Sequence, residues 1–110
     1  EEKRKFNLLN KIIYTERPES CILFCNTKDA VDSLVERMRG KGFSCNGLHG
    51  GMEQKDRLDM MQRFKRGEFM FLVATDVAAR GIHIEEISHV INYDIPFEKE
   101  SYVHRIGRTG

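Results

Sequence analysis

The tightest constraint on the fold is an alternation of two hydrophobic periods. CILFC (21–25) and FMFLVAT (69–75) are short, nearly unbroken apolar runs, and SHVINYD (88–94) is a third, mixed one. Between them, apolar residues recur every three or four positions. A run that is apolar throughout suits a strand covered on both faces, whereas a 3.6-residue stripe suits a helix lying on a sheet. Residues 4–15 carry such a stripe in Phe6, Leu8, Leu9, Ile12 and Ile13, and Pro18 closes it. A second helix starts at an Asn26 or Thr27 cap, has Asp29 in its first turn, and buries Ala30, Val31, Leu34, Val35 and Met38. Gly40 or Gly42 stops it. SCNGLH (44–49) reads as a short strand and Gly50–Gly51 as a turn. Residues 53–66 form a third helix with Leu58, Met61 and Phe64 inward, ended by Gly67. Strands alternating with helices through short connections predict an α/β fold: a three-layer α/β/α domain with a mainly parallel sheet, spanning 1–110.

Composition narrows the function classes. A chain of 110 residues supports one core of modest size, and 40% hydrophobic with 32% charged residues is the balance of a folded, soluble protein. The net charge of +1 supplies no whole-molecule attraction to nucleic acid, so any phosphate binding must come from local clusters. Cys21, Cys25 and Cys45 form no CxxC pair and no zinc spacing. Cys21 and Cys25 lie in an apolar run, where cysteine acts as a small hydrophobe, which fits a reducing, cytoplasmic setting. No stretch approaches the roughly 20 apolar residues of a membrane span, and EEKRKF lacks a signal-peptide core.

In open α/β sheets, ligands gather where strands end at their carboxyl side. After the first strand stands NTK (26–28), which by itself reads equally well as a helix cap. After the second comes HGG and then QKDR. Gln54 and Arg57, three apart on a helix, point to one side and suit a phosphate, although a solvated helix face has the same pattern. After the third comes TDVAARGIHI, in which Thr75 and Asp76 end the strand and Gly81 closes a small-residue segment. HRIGRTG (104–110) sets Arg105 and Arg108 beside glycines, a phosphate-meeting pattern or a surface turn. There is no GxxxxGK[ST] nucleotide cradle and no acidic run of the magnesium-holding kind.

Taken in order, ILFCNTK, HGGMEQKDR, LVATDVAARGI, VINYDIP and YVHRIGRTG resemble the second RecA-like domain of DEAD-box RNA helicases over about residues 20–110. The details CILFCNTK, FKRGE and KESYVHR look most like the bacterial DbpA and YxiN type. The resemblance implies that Asn26, Thr27, Gly50, Gln54, Arg57, Thr75 and Asp76 line the path of one RNA strand. There they would hold sugar and phosphate without reading sequence. It implies that Arg108 approaches the γ-phosphate of ATP, that His104 couples the nucleotide and RNA sites, and that Arg105 belongs to the same motif. ATP with Mg²⁺ would be bound mainly by an N-terminal RecA-like domain of the same polypeptide, with Gly81 and His83 near the nucleotide.

Two departures qualify the match. The family has aspartate near the ATP ribose where this chain has His83. An imidazole keeps one hydrogen bond but lacks a carboxylate's two acceptors, so weaker or altered ribose contact is expected. The family's motif also continues to one more arginine, and its domain adds a strand and a helix. The resemblance therefore implies a domain incomplete at its C-terminus. The 110-residue chain by itself is expected to show no ATPase, and turnover by the purified chain would refute a half-site role. Two other readings share part of the pattern. A superfamily-two DNA translocase has a related last motif, and ATPase stimulation by RNA against DNA separates it. A non-catalytic binding module would show no RNA-dependent ATPase even beside a competent first domain.

Overall fold

The computed structural model describes residues 2–79, 87–94 and 103–105. Its elements are α1 (Glu2–Glu16), β1 (Cys21–Cys25), α2 (Lys28–Gly40), β2 (Cys45–Leu48), α3 (Gln54–Lys65), β3 (Phe71–Thr75), β4 (His89–Asn92) and β5 (Val103–Arg105). They form one sheet in the order β2-β3-β1-β4-β5, with β1 to β4 mutually parallel and β5 antiparallel to β4. The expected α/β architecture and mainly parallel sheet are present. The fifth strand is additional, because three residues of YVHRIGRTG carry too little pattern to announce a strand.

Side-chain alternation along the strands builds two cores. Cys21, Leu23 and Cys25 of β1, with Phe71 and Val73 of β3, pack beneath α1 and α2. Ile22 of β1, Leu72 and Ala74 of β3 and Leu48 of β2 face the opposite layer with Phe64 of α3 and Phe69. That is the physical content of an unbroken apolar strand: successive residues enter different cores, so none can be polar. All three cysteines are free and buried. Burial pushes the thiol of Cys45 up to about 12 and that of Cys21 higher still, so both remain neutral, inert thiols.

The α3 expectation needs one correction. Phe64 is buried and Met61 packs against its core, but Leu58 is 52% exposed, and Met60 takes the inward place. The helix begins at Gln54. A 3.6-residue stripe says which residues share a face, but not how far along its axis that face stays covered.

Packing also explains Gly47 on the edge strand β2. A Cβ there would lie 3.0 Å from Val31 Cγ1 and 3.2 Å from Val35 Cγ2, so glycine lets α2 sit close. Arg39 of α2 then reaches over this edge, donating from Nε to the Cys45 carbonyl at 3.0 Å and from its terminal nitrogen to Asn46 Oδ1. A side-chain cation occupying the open ladder blunts an edge against further pairing. At the amino ends of β1 and β4, Ser20 and Ser88 exchange hydrogen bonds. The Ser88 backbone N–H donates to Ser20 Oγ at 3.0 Å and the Ser88 hydroxyl to the Ser20 carbonyl at 2.6 Å, fixing the register of these strands.

Candidate functional site

Because β1 to β4 are parallel, their carboxyl ends open on one edge. The register makes those ends level: Cys25 lies beside Thr75, Phe24 beside Asn92, and Leu48 beside Ala74. Asn26–Thr27, Gly50, Gln54–Arg57 and Thr75–Asp76 all follow these ends, so residues 50 positions apart in sequence share one rim.

Each segment is shaped by its own hydrogen bonds. Thr27 is the N-cap of α2, its hydroxyl oxygen accepting the Ala30 N–H at 3.1 Å. Asn26 and Thr27 are exposed. At the turn after β2, the Gly51 N–H donates to His49 Nδ1 at 3.1 Å, and His49 Nε2 lies 3.5 Å from Asp32 Oδ1 on α2. An Nδ1 that accepts carries no proton, so the neutral ring holds its N–H on Nε2, facing the carboxylate. Gly50 is exposed, with open space around a Cβ position, whereas one on Gly51 would meet Lys28 Cδ at 3.1 Å. The Lys28 stem thus lies along the glycine turn. In the first turn of α3, Arg57 donates to Gln54 Oε1. After β3, the Thr75 hydroxyl oxygen accepts the Ala78 N–H at 3.4 Å, and the Ala79 N–H is shared by the carbonyls of Thr75 and Asp76 at 3.1 and 3.3 Å.

Thr27, Thr75 and Gln54 each accept one local hydrogen bond, and their hydroxyl and amide hydrogens, with further guanidinium N–H groups of Arg57, are available as donors. A rim of donors suits the oxygens of a phosphodiester. The exposed Asp76 carboxylate is an acceptor suited to a hydroxyl.

The last expected group is divided. His104 and Arg105 lie in β5, opposite Val90 and His89, and β5 runs from the carboxyl side of the sheet toward the amino side. The backbone at these two residues is therefore not on the rim. Gly81, His83 and Arg108 lie outside the described residues.

The roles of two contributors, Asp94 and Lys5, were not legible in the sequence. The Asp94 carboxylate, just past β4, accepts the Asn26 N–H at Oδ2 (2.6 Å) and meets Lys5 Nζ at Oδ1 (3.3 Å). Asp94 was visible as a strand end, but its partners stand 68 and 89 positions away. Among the described residues, no group of three or more His, Cys, Asp or Glu side chains is arranged to hold a metal ion, and no helix is long and apolar enough to cross a membrane. A groove of about 460 Å³ runs along the free edge of β2 between Asp32, Glu36 and Arg39 of α2 and Met60 of α3.

Comparison with known proteins agrees with this architecture. The family model of the helicase conserved C-terminal domain matches residues 4–110. The ATP-dependent RNA helicase DbpA of Bacillus subtilis is 61% identical over 99% of this chain and 23% of its own length. The DEAD-box ATP-dependent RNA helicase CshA of Geobacillus kaustophilus is 49% identical over the same shares. The chain thus spans about a quarter of these relatives. Among solved structures, the Escherichia coli DEAD-box protein SrmB, bound to regulator of ribonuclease activity A, superposes with a TM-score of 0.76 at 36% identity, over 87% of this chain and 56% of that one. With five ordered motifs, the parallel RecA-like sheet and these matches, the chain belongs to the helicase C-terminal domain family, as a RecA-like domain of the DEAD-box type.

Proposed function

We propose that this chain is the RNA-gripping half of a cytoplasmic, two-domain, ATP-dependent RNA helicase. The observation that supports it best is the donor-rich rim at the level carboxyl ends of four parallel strands. One RNA strand lies across Asn26, Thr27, Gly50, Gln54, Arg57 and Thr75, which donate to its phosphates, with Asp76 accepting from a ribose hydroxyl. Such contacts touch no base edge, so binding is independent of sequence. ATP and its Mg²⁺ sit mainly on the N-terminal RecA-like domain. From this chain, Gly81 and His83 face the nucleotide and Arg108 its γ-phosphate, while His104 and Arg105 link that region to the RNA rim. Closing both domains on RNA and ATP bends the bound strand and unpairs a short duplex, and hydrolysis reopens them.

The test is RNA-stimulated ATP hydrolysis by the full-length protein. Gln54→Ala and Arg57→Ala should each raise the RNA concentration giving half-maximal rate by about tenfold and leave the KM for ATP in place. Arg57→Ala should also flatten the salt dependence of RNA binding, as expected when about one phosphate contact is lost. Unchanged RNA dependence in both variants would sink the assignment of the rim.

A further inference from the structure

The sheet order places β4 beside β1, and the chain leaves these strands in opposite directions, toward β2 from one and toward β5 from the other. Diverging connections open a crevice at the carboxyl edge of such sheets. Here Asp94 spans it. One carboxylate oxygen holds the Asn26 N–H at 2.6 Å and the other meets Lys5 Nζ of α1 at 3.3 Å. The two side chains are mostly sheltered, at 25% exposure for Lys5 and 18% for Asp94. Lys5 is braced further by the Tyr93 ring, its ammonium 4.9 Å from the ring centroid, and the Tyr93 N–H donates to the Phe24 carbonyl at 2.9 Å.

From this arrangement we infer that Asp94 is a positioning residue for RNA binding: it fixes the Asn26–Thr27 turn from across the crevice, and Lys5 neutralises its charge. The inference rests on the RNA-rim reading above. Asn26 immediately precedes the α2 N-cap, and within hydrogen-bond reach of its N–H stands this carboxylate rather than a neighbour in sequence. Without that acceptor the turn loses its tie to β4, and the placement of Asn26 and Thr27 loosens. A bare carboxylate beside a phosphate path would repel the strand it helps to hold. The Lys5 ammonium removes that repulsion while leaving the acceptor in place. Asp94 lies two residues past β4, the strand that pairs with the His104- and Arg105-bearing β5, so the tie also joins the RNA rim to the side of the sheet that carries those residues.

The experiment uses the full-length protein, measuring RNA-stimulated ATPase and equilibrium binding of a single-stranded oligoribonucleotide. Asp94→Ala is expected to raise the RNA concentration for half-maximal rate about tenfold at an unchanged KM for ATP. Asp94→Asn keeps an acceptor oxygen and should return that concentration to within about threefold of the parent. Lys5→Met should weaken RNA binding more at low salt than at high salt, because it uncovers a negative charge. In a Thr27→Ala background the Asp94→Ala effect should shrink, since both act through one turn. Three results would overturn the inference: Asp94→Ala without effect on RNA dependence, Asp94→Asn as damaging as alanine, or full additivity with Thr27→Ala. Should Asp94→Ala fail to fold, the asparagine and Lys5→Met variants still decide. Failure of the rim itself is distinguishable, because Gln54→Ala and Arg57→Ala would then also leave RNA binding intact.

Discussion

Arg108→Ala in the full-length protein is expected to lower RNA-stimulated ATP turnover by about 10²- to 10³-fold, with RNA affinity in the absence of nucleotide little changed. The reasoning is electrostatic. As the γ-phosphoryl group leaves, charge grows on its oxygens, and a pre-placed guanidinium stabilises the transition state more than the ground state. Single cations in this role have been worth about 10³–10⁵ in rate, and a site that shares the charge with Mg²⁺ loses less when one cation is removed. Arg108→Lys should recover only a small part, because an ammonium keeps the charge but not the fork that matches two oxygens. The measurement is single-turnover hydrolysis at saturating RNA. A loss smaller than about fivefold would remove Arg108 from the nucleotide site. Equal loss of nucleotide-free RNA binding would instead place it with the rim.

The largest effect on stability is expected at Leu23. It is fully buried in the middle of β1, between Val73 of β3 and Ile91 of β4, and packs in the core shared with α1 and α2. Leu23→Ala removes buried atoms and leaves a cavity that flanking strands on both sides cannot close. The expected cost is about 3 kcal/mol, from a total that for such domains is about 5–15 kcal/mol. In this domain's thermal transition that is a fall of roughly 12 °C. Tyr14→Ala, on the solvent side of α1 at 73% exposure, should move the midpoint by no more than a few degrees. Equal shifts in the two variants would contradict the two-core packing. RNA binding should fall with Leu23→Ala only as far as folding does, because β1 ends directly beneath Asn26.

Much of the architecture was legible in the chain, and particular residues show why. CILFC and the FLVA of β3 alternate between two cores, so those positions had to be apolar, and that unbroken run is what marks a buried parallel strand. The SCNGLH strand was visible only through its neighbours. It is an edge strand, with Gly47 chosen for the approach of α2 rather than for strand preference. Leu58 misled because apolar residues at helical spacing need not all be covered. The strand at 103–105 gave no signal, because β5 owes its pairing to β4 and three residues cannot display a period.

The site divides along the same line. Local sequence determined that Thr27 caps a helix, that Gln54 and Arg57 share a helix face, and that Thr75 closes a strand, because each depends on contacts within a few residues. The order of the five motifs was enough to name the family. Tertiary structure alone decided that these ends are level and that Asp94 and Lys5 reach across to hold Asn26. The physical reason is range. Capping and helical spacing are enforced over one turn of chain, whereas the partner of a backbone N–H 68 positions away is chosen by strand order, which no local pattern encodes.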